Sequence, residues 1–303
     1  MKEPTSSRAH LATEQRGHAS AGFDRLSIAD AVALMQSEDR KLHDALDAAR
    51  ASIAAAIELV VARLERGGRL IYVGAGTSGR LGVLDAVECP PTFLSDPSQV
   101  LGVIAGGEAA LTRAVEGAED DALAARRDLE ARKLGAADVV FGISAGGTTP
   151  YVHAAIELAR ERGAASVFLA CVPREQAEDR ADVSIRVVTG PEVLTGSTRL
   201  KAGTATKLVL NTVSTVAMAQ LGKVYDNWMV DVDTRTNAKL VDRGARIVAS
   251  AAGVSRERAL ELLAAAGGRA KTAIVMQRLG CDAPSAQNKL DAADGRLRRA
   301  LGE

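Results

Sequence analysis

Apolar residues change their rhythm twice along this chain. From about residue 28 to 66 they recur at helical spacing. Leu42, Leu46, Ile53, Ile57, Val60 and Leu64 mark one face, and Gly67-Gly68 stops the run. Ser27 is placed to cap a helix beginning near Ile28. Ser37 opens the longer one after it, with Arg40 where a capping box would carry Glu. Between 69 and about 220, short apolar runs alternate with helical patterns. The runs predict strands at 69–73, 100–105, 138–143, 166–171 and 183–188. Helices are expected at 79–88, 108–116, 120–133, 149–162 and 199–221. Several strands are apolar at nearly every position, as in a sheet covered on both faces. The expected class is therefore α/β, a doubly wound parallel sheet. From about 238 the strand signal ends, and 240–251, 255–266, 270–279 and 284–301 read as short Ala/Leu-rich helices. Three parts follow: an arm and helices packing on the core at 1–66, the ligand-binding sheet domain at 67–237, and a small helical domain at 238–303. The first 25 or so residues are polar, and an extended or loosely ordered arm is expected there.

Composition narrows the function. Of 303 residues, 47% are apolar but only 3% aromatic, so the core must be built from Ala, Leu, Val and Ile. Lys plus Arg equals Asp plus Glu at 38 each, which leaves no overall field to draw nucleic acid or a membrane surface. Cys89, Cys171 and Cys281 are scattered and show no metal-ligand spacing, so no metal is expected. No apolar run reaches the ~18 residues of a membrane span. A cytoplasmic protein with neither nucleic-acid nor membrane partners is expected.

Two turns carry the chemistry. Gly74-Ala75-Gly76-Thr77-Ser78-Gly79 follows the strand Leu70-Ile71-Tyr72-Val73. Ser144-Ala145-Gly146-Gly147-Thr148-Thr149 follows Val139-Val140-Phe141-Gly142-Ile143. Each leads into a helix, where amide N–H groups, hydroxyls and the dipole favour an anion. In such sheets ligands sit beyond the carboxyl ends of strands, where both turns fall. The first turn also matches GxGxxG, but the acid expected about 20 residues on for a ribose, Asp96, lies among Pro90, Pro91 and Pro97 rather than ending a strand. Thr77 and Ser78 suit a compact phosphate better than a dinucleotide, and no organic cofactor is expected. A tight strand-to-helix connection without a ligand is the plainer reading of either turn alone. A third segment, Glu192 to Thr204, offers hydroxyls at Ser197 and Thr198 and charge at Lys201 ahead of a long helix, where simple N-capping is the alternative. Glu88, before Cys89-Pro90-Pro91, and Glu119, in Gly117-Ala118-Glu119-Asp120, are acids near the first turn. Each reads either as a solvated helix-end carboxylate or as one member of an acid–base pair.

The stretch LIYVGAGTSGRLGVLDAVECPPTF, followed by IAGGEAALTRAVEGAED, resembles the N-acetylmuramic acid 6-phosphate etherase family of the sugar isomerase (SIS) superfamily. TPYVHAAIELAR, TGSTRLKAGTATKLVLNTVST, GKVYDNWMVDV, TNAKL and an N-terminal TEQR extend the likeness over nearly the whole chain. The resemblance implies a SIS fold and a homodimer with its site near a subunit interface. It implies cleavage of a D-lactyl ether from a sugar phosphate in cell-wall sugar recycling, without metal or cofactor. Glu88 falls on the family's proton donor and Glu119 on its second acid–base residue. Gly76, Thr77, Ser78, Ser144, Gly146, Gly147, Thr148, Thr149, Glu192, Ser197, Thr198 and Lys201 are the expected substrate and phosphate contacts. The chain departs from the pattern in its second turn, SAGGTTPY, where ASGRTPY is common, and at Val87, where a small residue often stands. Two alternatives share the architecture: a non-catalytic sugar-phosphate sensor resembling glucokinase regulatory protein, and a sugar-phosphate isomerase.

Overall fold

A computed structural model describes residues 8–232, 234–235 and 238–303. Helices α1 (Ile28–Arg40), α2 (Leu42–Ala48) and α3 (Arg50–Leu64) lead into β1 (Leu70–Gly74), α4 (Gly76–Phe93), β2 (Val100–Ile104), α5 (Ala109–Thr112), α6 (Ala122–Ala131), β3 (Val139–Ile143), α7 (Pro150–Glu161), β4 (Ala165–Ala170), β5 (Val183–Arg186) and α8 (Lys201–Gln220). A two-stranded antiparallel ribbon, β6 (Val224–Tyr225) and β7 (Trp228–Met229), follows. Helices α9 (Ala238–Ala252), α10 (Arg256–Ala265), α11 (Ala270–Leu279), α12 (Ala283–Ala292) and α13 (Leu297–Leu301) complete the chain.

The five main strands form one parallel sheet in the order β2-β1-β3-β4-β5. All residues of β1, β3 and β4 are buried, which explains why their sequences are apolar without alternation. Reversal of strand order between β1 and β3 creates a topological switch point, the usual ligand crevice of such sheets. Helix α4 lies close over the end of β1. A Cβ on Gly74 would meet the Gly79 backbone nitrogen at 2.7 Å.

At the opposite end of the same two strands, Asp138 is 4% exposed and accepts from Arg69 Nε at 3.0 Å, Arg69 Nη2 at 2.6 Å and Gly135 N at 3.0 Å. Burial opposes its charge, but these donors outweigh that and hold the carboxyl below its ordinary range. Asp85 does similar work inside the sheet layer, accepting from Tyr72 Oη (2.9 Å), Asn211 Nδ2 (2.7 Å) and Ser214 Oγ (3.1 Å) and so joining β1, α4 and α8.

Several boundaries differ from expectation for identifiable reasons. Ser27 caps α1, accepting from Asp30 N, but Ser37 lies within that helix and donates to the Leu34 carbonyl, so no new helix opens there. The predicted 108–116 helix is only the short α5, and left-handed Gly117 ends the segment. The last predicted helix is broken between α12 and α13 by Asp294 and Gly295, both at positive φ. The β6–β7 ribbon was not expected; Asp226 at φ 54° makes its turn. The arm is not loose where it is described: Leu11 is 1% exposed within the sheet-domain core, and Ala12 N donates to Gln176 Oε1 at 2.8 Å.

The chain separates into two compact units. One runs to Val87 and resumes at Ser98–Ser214; the other comprises Glu88–Pro97 and Thr215–Glu303. The second unit has its own core, including Val230, Ile247, Val248, Leu262, Ile274 and Leu290. Among the described residues, no helix is long and apolar enough to cross a membrane.

Candidate active site

Both turns begin side by side, because Gly74 at the end of β1 pairs in register with Ile143 at the end of β3. Together they line a cleft of about 210 Å³. From the first turn come Ala75, Gly76, Thr77 and Ser78. The last three open α4, so the positive end of its dipole faces the cleft. The second turn contributes Ala145, Gly146, Thr148 and Thr149, the last being the N-cap position of α7, with Pro150 after it. Thr198 completes the hydroxylated wall.

The remaining predicted contacts are placed differently. Ser144 is 2% exposed, and its hydroxyl bonds Thr149 Oγ1 at 2.8 Å while accepting from Thr149 N at 3.3 Å, bracing the turn from beneath. Gly147 has φ 75°, and a Cβ there would sit 2.6 Å from that of Ala177. Its carbonyl bonds His153 Nε2 at 2.7 Å. Glu192 is fully buried and caps the start of α8, accepting from Lys201 N at 3.0 Å and Ala202 N at 2.9 Å. Burial raises its pKa despite those donors. Lys201 is 2% exposed and pairs through Nζ with Glu38 Oε2 at 2.8 Å. Burial works against the ionised Glu38, but Lys201 and Lys41 outweigh it and lower its pKa. Ser144, Gly147, Glu192, Ser197 and Lys201 are not among the residues lining the cleft.

The two glutamates part company. Glu119 lines the cleft from the short turn of helix Ala118–Asp120, held there after Gly117 at φ 75°. Arg8 Nη1 lies 3.7 Å from its Oε1, with both side chains about half exposed. Glu88 is exposed on α4 and is not among the lining residues. It stands ten positions beyond Ser78 on the same helix (88 − 78), a rise of about 15 Å.

Sequence reasoning missed the arm's contribution: Arg8, Leu11 and Glu14 also line the cleft. The one local signal was the apolar Leu11-Ala12 pair inside an otherwise polar segment. The predicted TNAKL segment includes Thr236 and Asn237, which lie outside the described residues.

A parallel sheet with a switch-point cleft walled by hydroxyls and by a helix N-terminus is the architecture of a SIS domain. Comparison agrees: residues 52–160 match the glucokinase regulatory protein N-terminal SIS domain and residues 123–216 the SIS domain. A phosphoheptose isomerase from Francisella tularensis shares the fold at TM-score 0.51 and 17% identity, over 64% of this chain and 100% of that one. More specifically, the chain belongs to the N-acetylmuramic acid 6-phosphate etherase family. It is 56% identical to the member from Gloeobacter violaceus over 99% of this chain and 98% of that protein. It is 54% identical to the one from Synechococcus sp. strain CC9605 over 99% and 94%.

Proposed function

We propose that this protein cleaves the D-lactyl ether of N-acetylmuramic acid 6-phosphate, giving N-acetylglucosamine 6-phosphate and D-lactate. What carries the reading is near-full-length identity to the etherases, joined to a cleft that sets Glu119 beside two hydroxyl-lined turns. The phosphate sits against the N-terminus of α4 and the second turn, with Thr77, Ser78, Thr148, Thr149 and Thr198 donating to its oxygens. That anchor fixes the sugar carbons for proton transfer. Ring opening exposes an aldehyde at C1 and acidifies the C2 proton. A base removes that proton, and an acid protonates the lactate oxygen as the C3–O bond breaks. Water then adds at C3 of the unsaturated aldehyde while C2 regains a proton. Glu88 is the donor to lactate and Glu119 the second acid–base group, each worth about 10²–10⁴-fold.

The cleft of one chain is smaller than the ~300–1,000 Å³ of most ligand sites. It has room for the phosphate end but lacks Glu88. A homodimer resolves both points if α4 of the second copy brings its Glu88 to the sugar. Such an enzyme serves cell-wall sugar recycling in the cytoplasm. Neither alternative architecture-sharing function needs an acid aimed at a C3 leaving group.

The test is incubation of the purified protein with N-acetylmuramic acid 6-phosphate and an enzymatic D-lactate assay. In heavy water the product sugar should carry deuterium at C2. Absence of lactate, with conversion of glucosamine 6-phosphate or fructose 6-phosphate instead, would refute the etherase reading in favour of an isomerase.

A further inference from the structure

A second cavity, of about 410 Å³, lies wholly within the C-terminal unit and plays no part in the reaction described above. Its volume is in the usual range for small-molecule sites. Among the described residues lining it, Lys223, Arg235, Arg269 and Lys271 are cationic, and Asp231 and Asp294 anionic. The acids are already committed. Asp231 serves two lysines at once, Lys223 at 3.0 Å and Lys271 at 2.8 Å. Asp294 is paired with Arg299, which is not a lining residue, at 2.8 Å. Arg269 reaches a neutral partner, Gln287 Oε1, at 3.2 Å. Among the described residues, Lys223, Lys271 and Arg269 thus outnumber the one acid, Asp231, that is left to them, and Lys271, 8% exposed, is held inside the cavity by Asp231 and the Gly295 carbonyl.

The donors also have a shape. Ala270, Lys271 and Thr272, the first residues of ten-residue α11, line the cavity, and no side chain caps that helix. The Thr272 hydroxyl donates to Gln287 Oε1 at 3.2 Å, which leaves guanidinium groups and the first-turn amides of a helix, donors pointing from several directions, to match the tetrahedral oxygens of a phosphate better than a single flat carboxylate. Leu94, Leu221, Val230 and Leu290 add apolar lining. We propose that this cavity is a binding site for a small phosphorylated molecule, separate from the etherase cleft.

The chain carries one tryptophan, Trp228, two residues from the lining Val230, so its fluorescence reports on this unit. The experiment titrates inorganic phosphate into the full protein and follows Trp228 emission, with chloride at matched ionic strength as the blank. Acetate serves as the carboxylate probe. A saturable change with phosphate is expected, weaker by at least several-fold with acetate. Arg269→Gln and, independently, Arg235→Gln should raise the phosphate midpoint about ten-fold or more, the effect of losing one charge-assisted contact. Circular dichroism would confirm that each variant is folded. Ser78→Ala should leave the midpoint where it is. No saturable change, an equal response to acetate, midpoints unmoved in both arginine variants, or a shift in Ser78→Ala would each overturn the proposal. None of these outcomes bears on lactate release.

Discussion

Mixing two dead variants should restore activity to this enzyme. Glu88 and Glu119 are proposed to act on one sugar, yet Glu88 is about 15 Å along α4 from Ser78, which lines the cleft. It is exposed there, whereas Glu119 lines the cleft. A hexose phosphate spans only about half that rise between its phosphorus and C3, on ordinary bond lengths. On the proposed reading, a sugar anchored at the Ser78 turn meets Glu119 of its own chain and Glu88 of the second copy. Glu88→Gln and Glu119→Gln homodimers each lack one acid in every site and should lose about 10²–10⁴-fold in turnover. If the two are unfolded, mixed in equal amounts and refolded together, a two-fold assembly gives about half heterodimers. In each heterodimer one site carries both changes and the other carries neither. One quarter of all sites are then intact, so activity per chain should recover to about 25% of wild type. The assay is D-lactate release before and after mixing, with the dimer fraction checked by sedimentation. If instead both acids come from one chain, every site in the mixture stays damaged. Activity remaining at the homodimer level, with heterodimers demonstrably formed, would refute the shared-site reasoning.

Four further outcomes follow from single side chains. Ser78→Ala should raise KM about 10- to 100-fold, the loss of one hydrogen bond to a charged group, with unfolding midpoints little changed; an unchanged KM would remove Ser78 from the phosphate site. Lys201→Met should destabilise by about 1.5–3 kcal/mol in urea titration, because buried Glu38 loses its buried partner and keeps only the exposed Lys41, while folded protein keeps its KM. Asp138→Asn, at the far ends of β1 and β3 from the cleft, should cost about 2–4 kcal/mol at pH 7. Since the folded pKa of Asp138 is depressed, its contribution is present above the ordinary carboxylate value of 3.8 and is lost as pH falls through the folded value; the variant's urea midpoint should lack that acid slope. Gly146→Ser should be tolerated within about 1 kcal/mol, because a Cβ there meets nothing nearer than Leu11 Cδ1 at 3.7 Å; calorimetry showing a larger loss would contradict that geometry.

Legibility in the sequence tracked how local each cause was. Strand runs were readable because all of β1, β3 and β4 is buried, so every position had to be apolar. The two turns were readable because close packing of Gly74 on Gly79 and the positive φ of Gly147 demand glycine at fixed places. Lys201 and Glu192 illustrate the limit. Both residue types suit a phosphate site, and only the fold reveals that Glu38, 163 positions away, holds the lysine while the glutamate caps α8. Arg8 and Glu14 were illegible for the same reason. Their place at the cleft follows from Leu11 and Ala12 anchoring the arm to the sheet domain, where the partner of Ala12 N, Gln176, is 164 positions away.

Helix α4 shows a local sacrifice of stability. Its first turn lines the cleft, and its far part carries Glu88. Directly after Glu88 and Cys89, Pro90 and Pro91 continue the helix to Phe93. Neither proline has an amide hydrogen, so the carbonyls of Ala86 and Val87 lose their ordinary partners four residues on, at a cost of about 3 kcal/mol for an interior proline. A helix that served only to cover the sheet would gain stability by replacing them. Their presence fits a helix whose course around Glu88 matters more than its strength. The fixed φ of each ring then limits how the carboxylate-bearing segment can bend.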